Sequence, residues 1–325
     1  MFAFSLHKAG STLFTKILDD LARAANIAVV NIPGELFPQG IHEVDFPALK
    51  ADFFQPKGYI YSGYRTFPEM FEFPETMAEH AGLLIRDPRD ILVSMYFSFT
   101  GSHPIAQKDP EIRKKIEDNR RRENERGICR YILRHAGMVE QEFRSYEDHL
   151  KQLKVWRYED VIFDKFNWVR GIANRFKIKL PEAKIREIAE KHDIRPKEEK
   201  PGDHIRRVAP GDAQEKLSPR MLEYLDRRFR RIMRVHKYET NAERQAADAA
   251  KPKSRNPVDK AMRWVRKKIL HSDVMSRPKG SSRTQSPCTL RSIRSPSRST
   301  STRVSRITTS SSPGSPSSCT DTSST

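Results

Sequence analysis

Long apolar runs, paired cysteines and repeats are what this sequence lacks. None of its 325 residues lies in an apolar stretch of the ~20 positions that a membrane-spanning helix requires. No basic, apolar and small-residue leader is visible either, and the first apolar run starts at Phe2. The expectation is a soluble, cytoplasmic protein with no transmembrane segment. Three cysteines, Cys129, Cys288 and Cys319, show no pairing pattern. That suits a reducing compartment and excludes a disulfide framework. No internal repeat is visible. Acidic residues are scarce where basic ones are dense: after Ala250 lie 16 of the 60 Lys and Arg but only 3 of the 42 Asp and Glu. The last 75 residues therefore hold +13 of the net +18, and the first 250 only +5. The basic pI belongs mostly to the tail, so no nucleic-acid partner is expected for the rest.

What is present is a chain of 37% hydrophobic and 31% charged residues, enough for one large α/β domain or two small ones but not for a core along the whole length. Leu13, Phe14, Ile17, Leu18 and Leu21 recur at helical spacing through about Ala25, and Asn26 suits the stop. Residues 27–32, 58–61, 81–85 and 154–158 read as strands. Strands alternating with helices predict a central parallel sheet flanked by helices. Residues 107–126, with IRKKIEDNRRRENER at their centre, read as a solvated helix or a mobile surface segment. Three segments follow: a domain at 1–245, a basic helical linker at 246–280, and a Ser/Thr/Arg-rich tail at 281–325. The tail has 26 Ser or Thr among 45 residues and is expected to be disordered. PVDKAMRWVRKKIL, residues 257–270, sets apolar residues among Lys and Arg and allows weak contact with an anionic surface.

The stretch FSLHKAGSTLF, residues 4–14, carries an apolar strand into a glycine turn and a helix. Aligned with the Walker pattern G-x-x-x-x-G-K-[ST], Ser5 takes the first glycine, Gly10 the second, Ser11 the lysine and Thr12 the hydroxyl residue. The lysine that would follow Gly10 is absent, and Lys8 sits inside the loop instead. Such a turn offers free amides to a phosphate without the parts for γ-phosphoryl transfer. A second motif, LLIRDPRDILVSMYFSF, spans residues 83–99. Arg86 falls at a strand's C-terminal end, where α/β sheets place ligand contacts, and Ser94 follows in the next helix. A guanidinium with a hydroxyl suits a phosphate monoester. The alternative reading pairs Arg86 with Asp87 or Asp90 as a structural ion pair.

Together these motifs resemble those of the P-loop sulfotransferases that use 3′-phosphoadenosine-5′-phosphosulfate (PAPS). HKAGST is similar to the family's P-K-S-G-[ST]-[ST], and RDPRDILVSMY to its R-[DN]-P-[RK]-D-x-x-x-S-x-Y. VWRYEDVI resembles the YED segment, and HIRRVAPGDA the R-K-G-x-x-G-D-W loop. The resemblance implies a P-loop-type nucleotide-binding fold and PAPS as sulfuryl donor, with no metal. It implies Lys8, Ala9, Gly10, Ser11 and Thr12 around the 5′-phosphosulfate. It also implies Arg86, Ser94, Arg206 and Arg207 on the 3′-phosphate, Tyr158 near the adenine, and Lys8 as the cation at the leaving group. Val208 and Ala213 depart from the last motif, Leu13 from a frequent tryptophan, and His7 from the usual proline. For the acceptor base, YIYSGYRTF offers no histidine where cytosolic relatives have one, leaving Glu35 ahead of His42. The implied activity is transfer of a sulfuryl group to a hydroxyl or amine, releasing adenosine 3′,5′-bisphosphate. The alternatives are a nucleotide or nucleoside kinase with a degraded Walker turn, and a non-catalytic basic protein binding nucleic acid or membrane.

Overall fold

Strand β1 (Phe2–Ser5) is buried at every position, which places it in the middle of the molecule. The other strands are β2 (Ala28–Val30), β3 (Tyr59–Ser62), β4 (Ala81–Ile85) and β5 (Lys154–Arg157). They form one sheet in the order β2-β3-β1-β4-β5. Every neighbouring pair is parallel, with Phe2 opposite Tyr61 on one side and Ala81 on the other. The fold class is the expected one, an α/β sheet flanked by helices. Its described residues are 1–36, 46, 48–102, 110–194 and 208–250 of a computed structural model. The basic linker and Ser/Thr-rich tail beyond residue 250 lie outside them.

The helices are α1 (Ser11–Ala24), α2 (Ile32–Leu36), α3 (Pro88–Phe97), α4 (Pro110–Ser145), α5 (Tyr158–Val161) and α6 (Lys165–Arg175). They continue with α7 (Glu182–Lys191), α8 (Asp212–Lys216), α9 (Pro219–Arg228), α10 (Arg230–His236) and α11 (Asn241–Ala250). In α1 the buried set is Phe14, Ile17, Leu18, Leu21 and Ala22, the stripe read from the sequence. Asn26, at φ 55°, supplies the left-handed stop. Helices α1, α6 and α7 pack against one another, and α3 packs on α4 and α8. Among the described residues, no helix is long and apolar enough to cross a membrane.

Three local details differ from the sequence reading. β2 ends at Val30 because Asn31 accepts from the Gly34 amide at 2.9 Å and caps a short helix there. β5 ends at Arg157, and Tyr158 opens α5 rather than closing the strand. Residues 110–126 form the first half of α4, the solvated helix of the two sequence readings, and run on to Ser145 past a break at Gly127 (φ 77°, ψ 167°) that the sequence reading lacks. Beyond that break Ile132, Ala136, Val139 and Phe143 are buried, whereas the charged half before it is mostly exposed.

The core is aromatic on the β1–β3 side. Phe2 and Phe4 point to one face of the sheet and meet Phe54, Phe67, Phe73 and Tyr146 at centroid distances of 5.1 to 6.2 Å. On the β4–β5 side Trp156 covers Gly82, where an added Cβ would lie 2.1 Å from Cζ3 of the indole. Gly82→Ala should therefore displace Trp156 and lower stability by about 1–3 kcal/mol, read as a reduced denaturant midpoint with unchanged slope.

Candidate active site

The sheet's strand order reverses at β1, since the chain leaves β1 toward β2 and β3 and returns on its other side as β4. Ser5 lies opposite Leu84 in the register, so the segments after β1 and β4 emerge side by side. That crevice is where open α/β sheets bind ligands. After β1 the backbone turns through Leu6–Gly10, with the Ala9 amide bonded to the Leu6 carbonyl at 3.3 Å. Lys8 (φ 55°) and Gly10 (φ 94°) are both left-handed. For Gly10 this costs little, and its missing side chain leaves room for Tyr158, whose Cδ2 would be 3.0 Å from a Cβ. For Lys8 the same conformation is a strain kept at the mouth of the crevice. The helical ladder of α1 begins with Phe14 N bonding to Gly10 O at 2.9 Å, leaving the amides of Ser11, Thr12 and Leu13 ahead of it.

The second motif supplies the opposite wall. Arg86 leaves β4 with 6% of its surface exposed, its guanidinium 4.7 Å from the Tyr158 ring centroid. Nη2 reaches Asp90 at 3.3 Å and Nη1 the Lys8 carbonyl at 3.4 Å, while Nε is buried with no partner. The ion pair considered as the alternative is therefore present, yet Arg86 also lines the crevice and touches the turn.

The rest of the motif is a brace. Asp87 caps α3 at the Arg89 amide (2.9 Å) and holds the Arg89 guanidinium at Nη2 (2.6 Å). Arg89, fully buried, also reaches Asp226 at 2.7 Å and the Glu239 carbonyl at 2.8 Å. Asp90 accepts from the amides of Gly211 (2.7 Å) and Ala213 (2.8 Å), drawing the GDA segment at the start of α8 back to the site.

Lys8 Nζ donates to Ser98 Oγ at 2.9 Å. Burial lowers the lysine's pKa, and the neighbouring charges of Arg65 and Arg86 add to the effect. Arg65, just past β3, holds Ser5 Oγ at 2.6 Å. Neither Ser98 nor Arg65 was singled out from the sequence. Ser98 stands four residues after Ser94, one helical turn on, and that spacing was the available signal. Tyr158 donates to the Val208 carbonyl at 2.7 Å, and burial raises its pKa to about 12. Burial likewise lifts Glu159 to about 7, although its carboxylate accepts from the Asp87 amide at 2.8 Å.

Lys8, Gly10, Ser11, Thr12, Arg86, Ser94 and Tyr158 line one cavity of about 570 Å³. Ala9 is buried beneath the turn and does not line it. The cavity runs along α1 past Lys16 to Arg23, with Lys191 and His192 opposite; both of these bond to Asp20. Glu35 is exposed on α2 and is not part of its wall. His42, Arg206 and Arg207 lie outside the described residues. The wall suits a phosphorylated ligand on two grounds, the unpartnered Arg86 Nε and the space kept by Gly10. Among the described residues, no group of three or more His, Cys, Asp or Glu is placed to hold a metal ion.

Such a crevice is the ligand-binding place of an α/β protein with a glycine turn after its first strand. Residues 83–238, just under half of the chain, match the family model described as sulfotransferase domain. The family that the motifs resemble and the family of the matching model are the same, the sulfotransferases. The match takes in the second motif and begins after the glycine turn. No curated protein sequence matches the chain. Among solved structures, mouse sulfotransferase SULT7A1 complexed with PAP is similar at 15% identity and a TM-score of 0.43, covering 77% of this chain and 87% of its own. Retinol dehydratase in a complex with retinol and PAP gives 15% and 0.43, covering 74% and 81%.

Glu159 yields a signed pH prediction. Its folded pKa, about 7, lies above the ordinary 4.5, so the folded state binds the proton more tightly. Its contribution is present at low pH and is lost as pH rises through the window from 4.5 to 7. Glu159→Gln should flatten that part of the stability curve, measured by denaturant unfolding at several pH values.

Proposed function

We propose that this protein is a sulfotransferase that moves a sulfuryl group from PAPS to a hydroxyl or amine acceptor and releases adenosine 3′,5′-bisphosphate. The observation that carries the reading is the meeting of two anion grips, the Lys8–Thr12 turn and Arg86 with Ser94, in one cavity wall. In this reading the amides at the start of α1, with Ser11 and Thr12, hold the 5′-phosphosulfate. Arg86 and Ser94 hold the 3′-phosphate, completed by Arg206 and Arg207, and Tyr158 flanks the adenine. When bound, the donor supplies an activated sulfuryl group whose leaving oxygen gathers negative charge. Lys8, kept inside the turn, neutralises that charge where a Walker lysine would be placed for a γ-phosphate. Its hydrogen bond to Ser98 holds the ammonium in one position ahead of the reaction. Glu35 and His42 are the sequence's candidates for the acceptor base.

Calorimetry with adenosine 3′,5′-bisphosphate tests the grips directly. Arg86→Ala should raise its Kd at least about tenfold, the loss of one charge-assisted pair, with a smaller change in kcat at saturating donor. Lys8→Ala should do the reverse, lowering kcat by about 10²–10³ while Kd changes little. Equal binding by wild type and Arg86→Ala would remove the assignment.

A further inference from the structure

The residue before Lys8 is held by a carboxylate that nothing described so far accounts for. His7 Nδ1 lies 2.6 Å from Glu142 Oε1, and the His7 amide donates to Glu142 Oε2 at 3.1 Å. Glu142, on α4, is 3% exposed, whereas the His7 side chain is 46% exposed. Both oxygens of a buried carboxylate are thus committed to one half-exposed residue at the entrance of the phosphate turn. We propose that His7, oriented by Glu142, is the base that removes the proton from the acceptor hydroxyl. This rests on the sulfotransfer reading above.

The chemistry follows from donor and acceptor rules. A carboxylate oxygen only accepts, so the proton between Glu142 and the ring belongs to Nδ1. In the neutral ring, Nε2 then keeps its lone pair and is the nitrogen left for a substrate. A carboxylate fixing one ring nitrogen so that the other works as a base is a recurrent arrangement in acyl transfer, and only the orientation is borrowed here.

Location separates His7 from the other candidates. Its Cα is about 3.8 Å from that of Lys8, which lines the donor cavity, yet His7 itself is not part of that wall. An in-line displacement at sulfur needs the nucleophile on the side opposite the leaving oxygen, and therefore outside the donor cavity. The other carboxylate-bound histidine of the site, His192 on Asp20, is buried. It sits beside Asp20, nine residues into α1 from Ser11, or about 14 Å along the helix from the turn. Asp20 is also shared with Lys191 and Arg23. Glu35 lies on α2 and outside the cavity wall.

The step balances without a further reagent. Nε2 takes the hydroxyl proton as the acceptor oxygen forms its bond to sulfur. The bond from sulfur to the bridging oxygen breaks, and its electron pair passes to the 5′-phosphate, beside Lys8. The imidazolium then returns its proton to water. Glu142 is a positioning residue, reaching the reaction only through the ring.

Two phenols test the proposal on the full chain, with PAPS as donor in mildly alkaline buffer. 4-Nitrophenol is already ionised there and needs no base; 4-methylphenol is not. His7→Asn keeps a side-chain donor for Glu142 and should cut kcat with 4-methylphenol by about 10²–10⁴ while leaving 4-nitrophenol near wild type. Equal losses with both phenols would overturn the proposal, as would a loss confined to Glu35→Gln. Glu142→Gln should lower kcat with 4-methylphenol while leaving 4-nitrophenol near wild type, because the ring loses the partner that fixes its orientation; equal losses with the two phenols count against the pairing. Nitrogen-15 NMR of wild type supplies a readout independent of turnover: a neutral His7 protonated at Nδ1 is expected, and protonation at Nε2 would overturn the assignment. If wild type binds adenosine 3′,5′-bisphosphate but turns over neither phenol, the tautomer decides alone. If it binds no adenosine 3′,5′-bisphosphate, the sulfotransfer reading fails first, and separately.

Discussion

The buried charges between Asp87 and Asp226 hold the site in shape. A guanidinium with no exposed surface is costly to bring out of water and is kept only where its hydrogen bonds are met. Arg89 meets that condition by joining the N-terminal cap of α3, the helix α9 and the chain after α10. Asp90 then extends the brace to the backbone of Gly211 and Ala213. Three separate segments are thus fixed to the end of β4, the point at which Arg86 enters the cavity. Removing either partner of such a pair leaves an uncompensated buried charge, so the brace behaves as a unit.

Much of the fold was readable because its signals are local. The apolar run before a glycine turn, the periodic stripe of α1 and the Arg–Asp–Pro sequence after β4 each specify their own neighbourhood. What was not readable depends on partners distant in the chain. The DPRD charges look alike in sequence, yet one caps a helix, one ties α9 and one ties α8. Only the fold assigns these roles. Arg86 satisfies both readings open to it, the structural ion pair and the cavity contact, and no pattern of neighbours separates them. Ser98 has only its one-turn spacing from Ser94 to mark it, and its partner is a lysine from another segment, which only the fold brings to it. β2 and β5 were each drawn too long because capping and an early helical turn compete with strand propensity at their ends.

The distribution of charge clarifies which forces act on the site. Most of the net positive charge lies beyond residue 250, whereas the cavity wall concentrates Lys8, Arg86, Lys16, Arg23 and Lys191 within one crevice. A low-dielectric wall strengthens such local charges relative to those in open solvent. The basic character of the crevice is therefore a local property of its wall and not of the overall pI.

The left-handed backbone at Lys8 has an evolutionary consequence. A non-glycine residue in that conformation costs about 1–2 kcal/mol, so replacement by glycine would relieve strain while erasing the cation. If Lys8 acts as proposed, drift at this codon would run downhill in folding energy toward a well-formed but inert relative. Foldedness and competence are thus uncoupled at a single position, and thermal stability is a poor guide to which homologues still work.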